Sequence, residues 1–107
     1  MKQKILFAEK FFPMIREGKK TTTIRNGERN YSIGECDAFD PEEVNGFIIN
    51  VKNLEITTFG ALTEENAKTD GFSCLAELKE ELLSFYPDLT DDSPVTIVSI
   101  GYSREFD

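Results

Sequence analysis

At 107 residues, with 39% hydrophobic and 30% charged side chains, the chain is sized and composed for one globular domain spanning residues 1–107, not for two domains or a disordered polymer. No apolar run approaches a membrane span. The lysine-containing start lacks a signal-peptide h-region, so no membrane partner and a cytoplasmic location are expected. There is no histidine, which removes the commonest general base and zinc ligand. Two cysteines, Cys36 and Cys74, are too few for a disulfide framework or metal cluster; both are expected to pack as small buried side chains, and no cofactor is expected.

The net charge of −8 is unevenly spread: residues 1–30 hold eight Lys/Arg against three Glu, and residues 31–107 hold four Lys/Arg against seventeen Asp/Glu. Long-range repulsion disfavours wholesale binding to a phosphate backbone. A local basic mouth can still hold one nucleotide or a small polar ligand, unless acids from the second half fold over it.

In chain order, Ile5-Leu6-Phe7 reads as a short strand. Phe11, Met14 and Ile15 then mark the stripe of an amphipathic helix running to Glu17, with Pro13 in its first turn. Gly18 reads as the residue that ends it in a left-handed conformation. Thr21 to Ile24 are four β-branched residues in a row and predict a strand. Alternation sends Thr21, Thr23 and Arg25 to one face and Thr22 and Ile24 to the other, with Lys19 and Lys20 at the mouth of the polar face. That row is either a solvated edge or the lining of a cavity.

Asn26-Gly27 predicts a turn, Cys36 to Phe39 a strand, and Asn45-Gly46 a second turn. Phe47, Ile49 and Val51 alternate inward, while Leu54 and Ile56 continue on the opposite parity. A parity switch within one strand predicts a bulge near Lys52-Asn53, a device for bending a sheet. Thr63 reads as a helix N-cap, with Leu62 and Ala67 placed for a hydrophobic staple, and Asp70-Gly71 ends that helix. Ser73 is expected to cap the next helix, whose stripe is Leu75, Leu78, Leu82 and Phe85, and Pro87 ends it. Val95 to Tyr102 supplies a final strand. Bent strands with helices to one side predict a small α+β domain around a partly closed barrel.

Three separated pieces resemble the ASCH family, whose fold is PUA-like. They are Ile15-x-x-Gly18-x-Lys20-Thr21-x-Thr23-x-Arg25, Tyr31-x-Ile33-Gly34, and Leu62-Thr63-Glu64 through Asp70-Gly71-Phe72 with Glu77-Leu78 and Tyr86-Pro87. Within the family the chain is most similar to the short bacterial N(4)-acetylcytidine amidohydrolases. The resemblance implies catalysis by Lys20 and Thr23 together with a carboxylate. Asp70 stands where those proteins carry a glutamate, keeping the charge but shortening the reach by one methylene.

The chemistry stands on its own terms. Amide hydrolysis needs a nucleophile, a base to deprotonate it and an acid for the leaving amine. Thr23 offers a hydroxyl, Lys20 a base if its pKa is lowered, and Asp70 an acid if its pKa is raised. An ion pair between Lys20 and Asp70 opposes both requirements. Arg25, with Thr21 and Lys19, is the expected substrate-binding set. Two readings follow: an amidohydrolase acting on an acetylated cytidine or related pyrimidine nucleoside, or a non-catalytic module reading single-stranded or modified RNA, with a ribonuclease as a third option. The sequence carries no signal of oligomeric state.

Overall fold

The computed structural model describes residues 3–107. Strand β1 (Lys4–Leu6) leads through a 3₁₀ turn, Glu9–Phe11, into α1 (Phe12–Arg16), with Pro13 in its first turn where a missing N–H is tolerated. The 3₁₀ turn winds at about three residues per turn and shifts the apolar face. Phe12 and Ile15 are therefore the buried pair, and Phe11 and Met14, expected in the stripe, are half-buried. Gly18 takes φ 77°, and the chain folds back so that the N–H groups of both Lys19 and Lys20 donate to the Met14 carbonyl, at 2.9 and 3.0 Å.

The sheet is built from β1, β2 (Thr22–Asn26), β3 (Gly34–Phe39), β4 (Gly46–Thr58) and β5 (Pro94–Glu105). Its strand order is β1-β3-β4-β5-β2; β1 runs parallel to β3 and every other pairing is antiparallel. The two ends of the sheet, β1 and β2, are thus drawn from the first quarter of the chain. The barrel stays partly closed, a half-barrel with a seam between these edges.

The register between β4 and β5 slips between Val51 and Asn53, where the parity switch requires a bulge, and again between Ile48 and Ile49. Beyond the bulge Leu54 packs on the core, whereas Ile56 is 52% exposed and not inward-facing.

Alternate residues of β5 feed two apolar clusters. Val98 and Ile100 join Phe12, Ile15, Phe47 and Ile49 in one; Val95 and Ile97 join Ile24, Leu62, Ala67, Leu78 and Leu82 in the other. The second cluster lies under α2 (Glu64–Thr69) and α3 (Leu75–Phe85). Thr63 caps α2 as its sequence predicts: its hydroxyl accepts from Asn66 N at 3.1 Å, and Asn66 Oδ1 accepts from Thr63 N at 2.9 Å.

Three expectations are corrected around α3. Ser73 does not cap it; Cys74 occupies the cap position, and the carboxylate of Glu64 accepts from Leu75 N at 2.9 and 3.1 Å. A charged acceptor from a neighbouring helix displaces the local hydroxyl. Cys74 is consequently exposed, while Cys36 is buried as expected. Phe85 is 61% exposed, because the buried stripe ends at Leu82. Among the described residues no helix is long and apolar enough to cross a membrane.

Candidate active site

The seam between β1 and β2 opens into a cavity of about 230 Å³. Its apolar walls come from Phe7, Phe11, Phe72, Leu78, Leu82, Phe85 and Tyr86, and its polar groups from Lys20, Thr23, Arg25, Asp70 and Glu81. Thr23 and Arg25 of β2 line this space, and Ile24 between them touches it while packing at 5% exposure in the cluster beneath α2 and α3.

Arg25 spans the seam. Its Nη2 donates to the Leu6 carbonyl of β1 at 2.7 Å, its Nε donates to Thr23 Oγ1 at 3.0 Å, and its guanidinium lies 5.1 Å from the Phe7 ring centroid. One side chain therefore ties the unpaired edges together and fixes the hydroxyl beside it. Burial lowers the Arg25 pKa from its usual value.

Lys20 and Asp70, fifty positions apart, form a buried pair. Lys20 Nζ donates to the Asp70 carbonyl at 2.9 Å and lies 3.2 Å from its Oδ1, with side-chain exposures of 3% and 6%. The ammonium also sits 4.8 Å from the Phe11 ring centroid. Two opposed effects act on the pair. Desolvation favours the neutral form of each; mutual attraction favours the charged form. Desolvation is the larger for both: the Lys20 pKa falls and the Asp70 pKa rises, with Asp70 opposing the first shift and Lys20 the second. The ion pair does not cancel the shifts that acid–base chemistry needs.

Thr22, which sequence alternation places on the face opposite Thr23, is part of the site. Its hydroxyl donates to Asp70 Oδ1 at 3.1 Å and lies 3.3 Å from Thr69 Oγ1. Asp70 thus accepts from Thr22 on β2 and from Lys20 just before it. Gly71 brings the backbone in: it takes φ 94°, and a Cβ there would lie 2.5 Å from Met14 Cε and 3.6 Å from Lys20 Cβ. The carboxylate expected to be a helix-stop residue on a loop is 5% exposed.

Of the residues singled out in the sequence, Lys20, Thr23, Arg25 and Asp70 share the cavity. Thr21 and Lys19 lie outside its lining. Thr21 is exposed, and its backbone is spent on Thr69 and Ile100; Lys19 is exposed and pairs with Glu17 at 3.3 Å. Acids do fold onto the basic third of the chain: Lys4 pairs with Glu43, Lys10 with Glu81 at 3.0 Å, and Arg16 with Glu105 at 2.8 Å. The aromatic wall and Thr22 were missed in the sequence. The signal for the wall is the concentration of Phe7, Phe11 and Phe72 around the polar strand in a chain with nine phenylalanines.

The family model described as ASCH domain matches residues 2–99. The chain belongs to the ASCH family. A Serratia proteamaculans protein named N(4)-acetylcytidine amidohydrolase is 33% identical over 94 residues, covering 85% of this ASCH chain and 91% of the relative. A Shewanella oneidensis protein of the same name is 34% identical over 92 residues, covering 83% and 88%. Among solved structures, an ASCH domain from Lactobacillus crispatus superposes with TM-score 0.73 at 15% identity, covering 84% of this chain and 68% of that one. An Enterococcus faecalis protein superposes with TM-score 0.75 at 16% identity, covering 98% and 78%. These two likenesses bear on the fold alone.

Proposed function

We propose that this ASCH domain is an amidohydrolase that releases acetate from N(4)-acetylcytidine or a closely related acylated pyrimidine nucleoside. The observation that carries the reading is the buried Lys20–Asp70 pair, with both groups biased toward neutrality, in an aromatic-walled cavity that also holds the Thr23 hydroxyl. The names of the relatives point the same way.

The reading assigns a role to each of Lys20, Thr23, Arg25 and Asp70. Thr23 Oγ1 attacks the acetyl carbonyl while neutral Lys20 takes the hydroxyl proton. Arg25 Nε, on Thr23 Oγ1, offsets the negative charge that builds there. The tetrahedral intermediate expels the cytosine amine as protonated Asp70 gives it a proton, leaving Lys20 charged, Asp70 charged and Thr23 acetylated. Water then attacks the ester, Asp70 takes its proton, and Lys20 returns a proton to Thr23 as acetate leaves. The pair passes from neutral to ionised and back, so each charged state arises with its counter-charge 3.2 Å away. Aromatic faces at Phe7, Phe11, Phe72 and Tyr86 suit a flat pyrimidine.

The RNA-binding reading gains no support from the basic third of the chain, where Lys4, Lys10, Arg16 and Lys20 are paired with acids. The test is incubation with N(4)-acetylcytidine, following the ultraviolet change as cytidine forms. Stoichiometric release of cytidine and acetate is expected; an unchanged spectrum at high enzyme concentration would overturn the assignment.

A further inference from the structure

Of the charged side chains that line the seam cavity, Lys20, Arg25 and Asp70 have roles in the reaction and Glu81 has none. Helical spacing puts Glu81 there. Leu78 stands three residues before it and Phe85 four after, and both line the same cavity, so a carboxylate interrupts the apolar face of α3. The cavity thus holds two carboxylates beside a lysine that must be uncharged to act as a base. A second carboxylate works against that requirement, because a nearby negative charge favours the ammonium form.

Glu81 already has a partner. Lys10 lies in the 3₁₀ turn Glu9–Phe11, and its Nζ is 3.0 Å from Glu81 Oε2. Ala8 and Phe11 of the same segment line the cavity, so the ion pair joins two of its walls. The Lys10 ammonium is 5.1 Å from the Phe11 ring centroid, and the Lys20 ammonium is 4.8 Å from the same centroid. Two cations therefore share one ring. The outer one, 61% exposed, takes Glu81, and the inner one, 3% exposed, takes Asp70. We propose that Lys10 is a positioning residue of the active centre: it holds and neutralises Glu81, and so leaves Lys20 to the single carboxylate of Asp70. The inference deepens the amidohydrolase reading and rests on it for the role of Lys20.

The charged groups acting on Lys20 are Asp70 at the end of α2, Arg25 on β2 and Glu81 on α3. Burial is the strongest influence and lowers the Lys20 pKa; Asp70 opposes this, Arg25 adds to it and Glu81 opposes it. The Lys10–Glu81 pair is too exposed to add much to stability, with Glu81 itself 23% exposed. Its consequence is for the field at Lys20, where water is largely excluded and a charge is screened less than at the surface.

The test is the pH profile of kcat/KM on N(4)-acetylcytidine at low ionic strength for the wild type, Lys10→Met, Glu81→Gln and the double variant. Methionine keeps the stem beside Phe11 and removes the charge. Lys20 and Asp70 titrate as a coupled pair, so the profile reports the pair as a unit. Lys10→Met unmasks Glu81 and favours the ammonium at Lys20. Its acid limb should move to higher pH by about half a unit, a roughly threefold lower rate at a fixed pH on that limb. Glu81→Gln should move the limb to lower pH, and the double variant should follow Glu81→Gln, since Lys10 acts through the carboxylate. Melting temperatures should stay within a few degrees of the wild type in all three variants. An unmoved acid limb in Lys10→Met, or an equal displacement by Lys10→Met with and without Glu81→Gln, would overturn the proposal. If N(4)-acetylcytidine is not turned over at all, the amidohydrolase reading fails on its own. Lys20 is then titrated directly by the NMR shift of its isotope-labelled Cε, assigned with Lys20→Met. An upward displacement in Lys10→Met that Glu81→Gln abolishes supports the masking, and no displacement overturns it.

Discussion

Replacing Lys20 with methionine isolates the energetic cost of the buried pair. Methionine fills most of the lysine stem's volume but leaves the Asp70 carboxylate, 6% exposed, with the Thr22 hydroxyl and no counter-charge from position 20. Breaking a buried pair in this way costs about 3–5 kcal/mol when the remaining group stays charged. The pH dependence separates this cost from a packing defect. In the wild type the folded pair binds one proton whether neutral or ionised, and so does the unfolded chain between the ordinary values of 3.8 and 10.5. Asp70, raised by burial, contributes stability that is present below its unfolded pKa and lost as pH rises through its folded one. Lys20, lowered by burial, contributes the opposite slope, and the two offset each other across the neutral range. In Lys20→Met only the Asp70 slope survives. Stability should then fall with rising pH above the ordinary aspartate value by up to about 1.4 kcal/mol per unit. The variant should unfold within about 1 kcal/mol of the wild type near pH 4 and lie several kcal/mol below it at pH 7, a drop on the order of 15 °C in Tm for a domain of this size. Urea and thermal melts at four pH values measure it. A variant as stable as the wild type at pH 7, or one with a constant deficit from pH 4 to 7, would refute the reasoning.

Thr22→Val removes the hydroxyl that donates to Asp70 Oδ1 while keeping the β-branched shape; about 1–2 kcal/mol of stability and roughly tenfold in kcat should be lost, with Thr22→Ser restoring most of both in melts and turnover assays. Gly71→Ala should cost about 1–2 kcal/mol through its φ of 94°; because the atom it meets is the flexible end of Met14, adding Met14→Ala should not restore the loss. Arg25→Lys loses the geometry that reaches both the Leu6 carbonyl and Thr23 Oγ1, so kcat should fall by about tenfold or more while KM moves less, in steady-state rates on N(4)-acetylcytidine.

The parts legible in the sequence are those set by local periodicity. Thr23, Ile24 and Arg25 point where a two-residue period sends them, Gly18 and Gly71 take the positive φ their positions at helix ends imply, and the parity switch after Val51 marks the bulge. What local pattern does not carry is pairing across the chain. Asp70 reads locally as a helix stop, and its burial against Lys20 and Thr22 depends on the turn at Gly71 packing over Met14. Lys19 and Lys20 are indistinguishable by composition. Resemblance to the family singled out Lys20, and the fold buries it while leaving Lys19 in solvent. The lost cap at Ser73 has the same origin, since Glu64 reaches the α3 terminus from eleven residues away.

The most direct test of the central claim is turnover of N(4)-acetylcytidine by the wild type, Thr23→Ser and Thr23→Val. Thr23 is buried on β2; valine keeps its β-branched shape while deleting the nucleophile, and serine keeps the nucleophile. The account predicts equal yields of cytidine and acetate from the wild type, a measurable fraction of that rate from Thr23→Ser, and a loss of about a thousandfold or more in Thr23→Val. Wild-type turnover in Thr23→Val would contradict it.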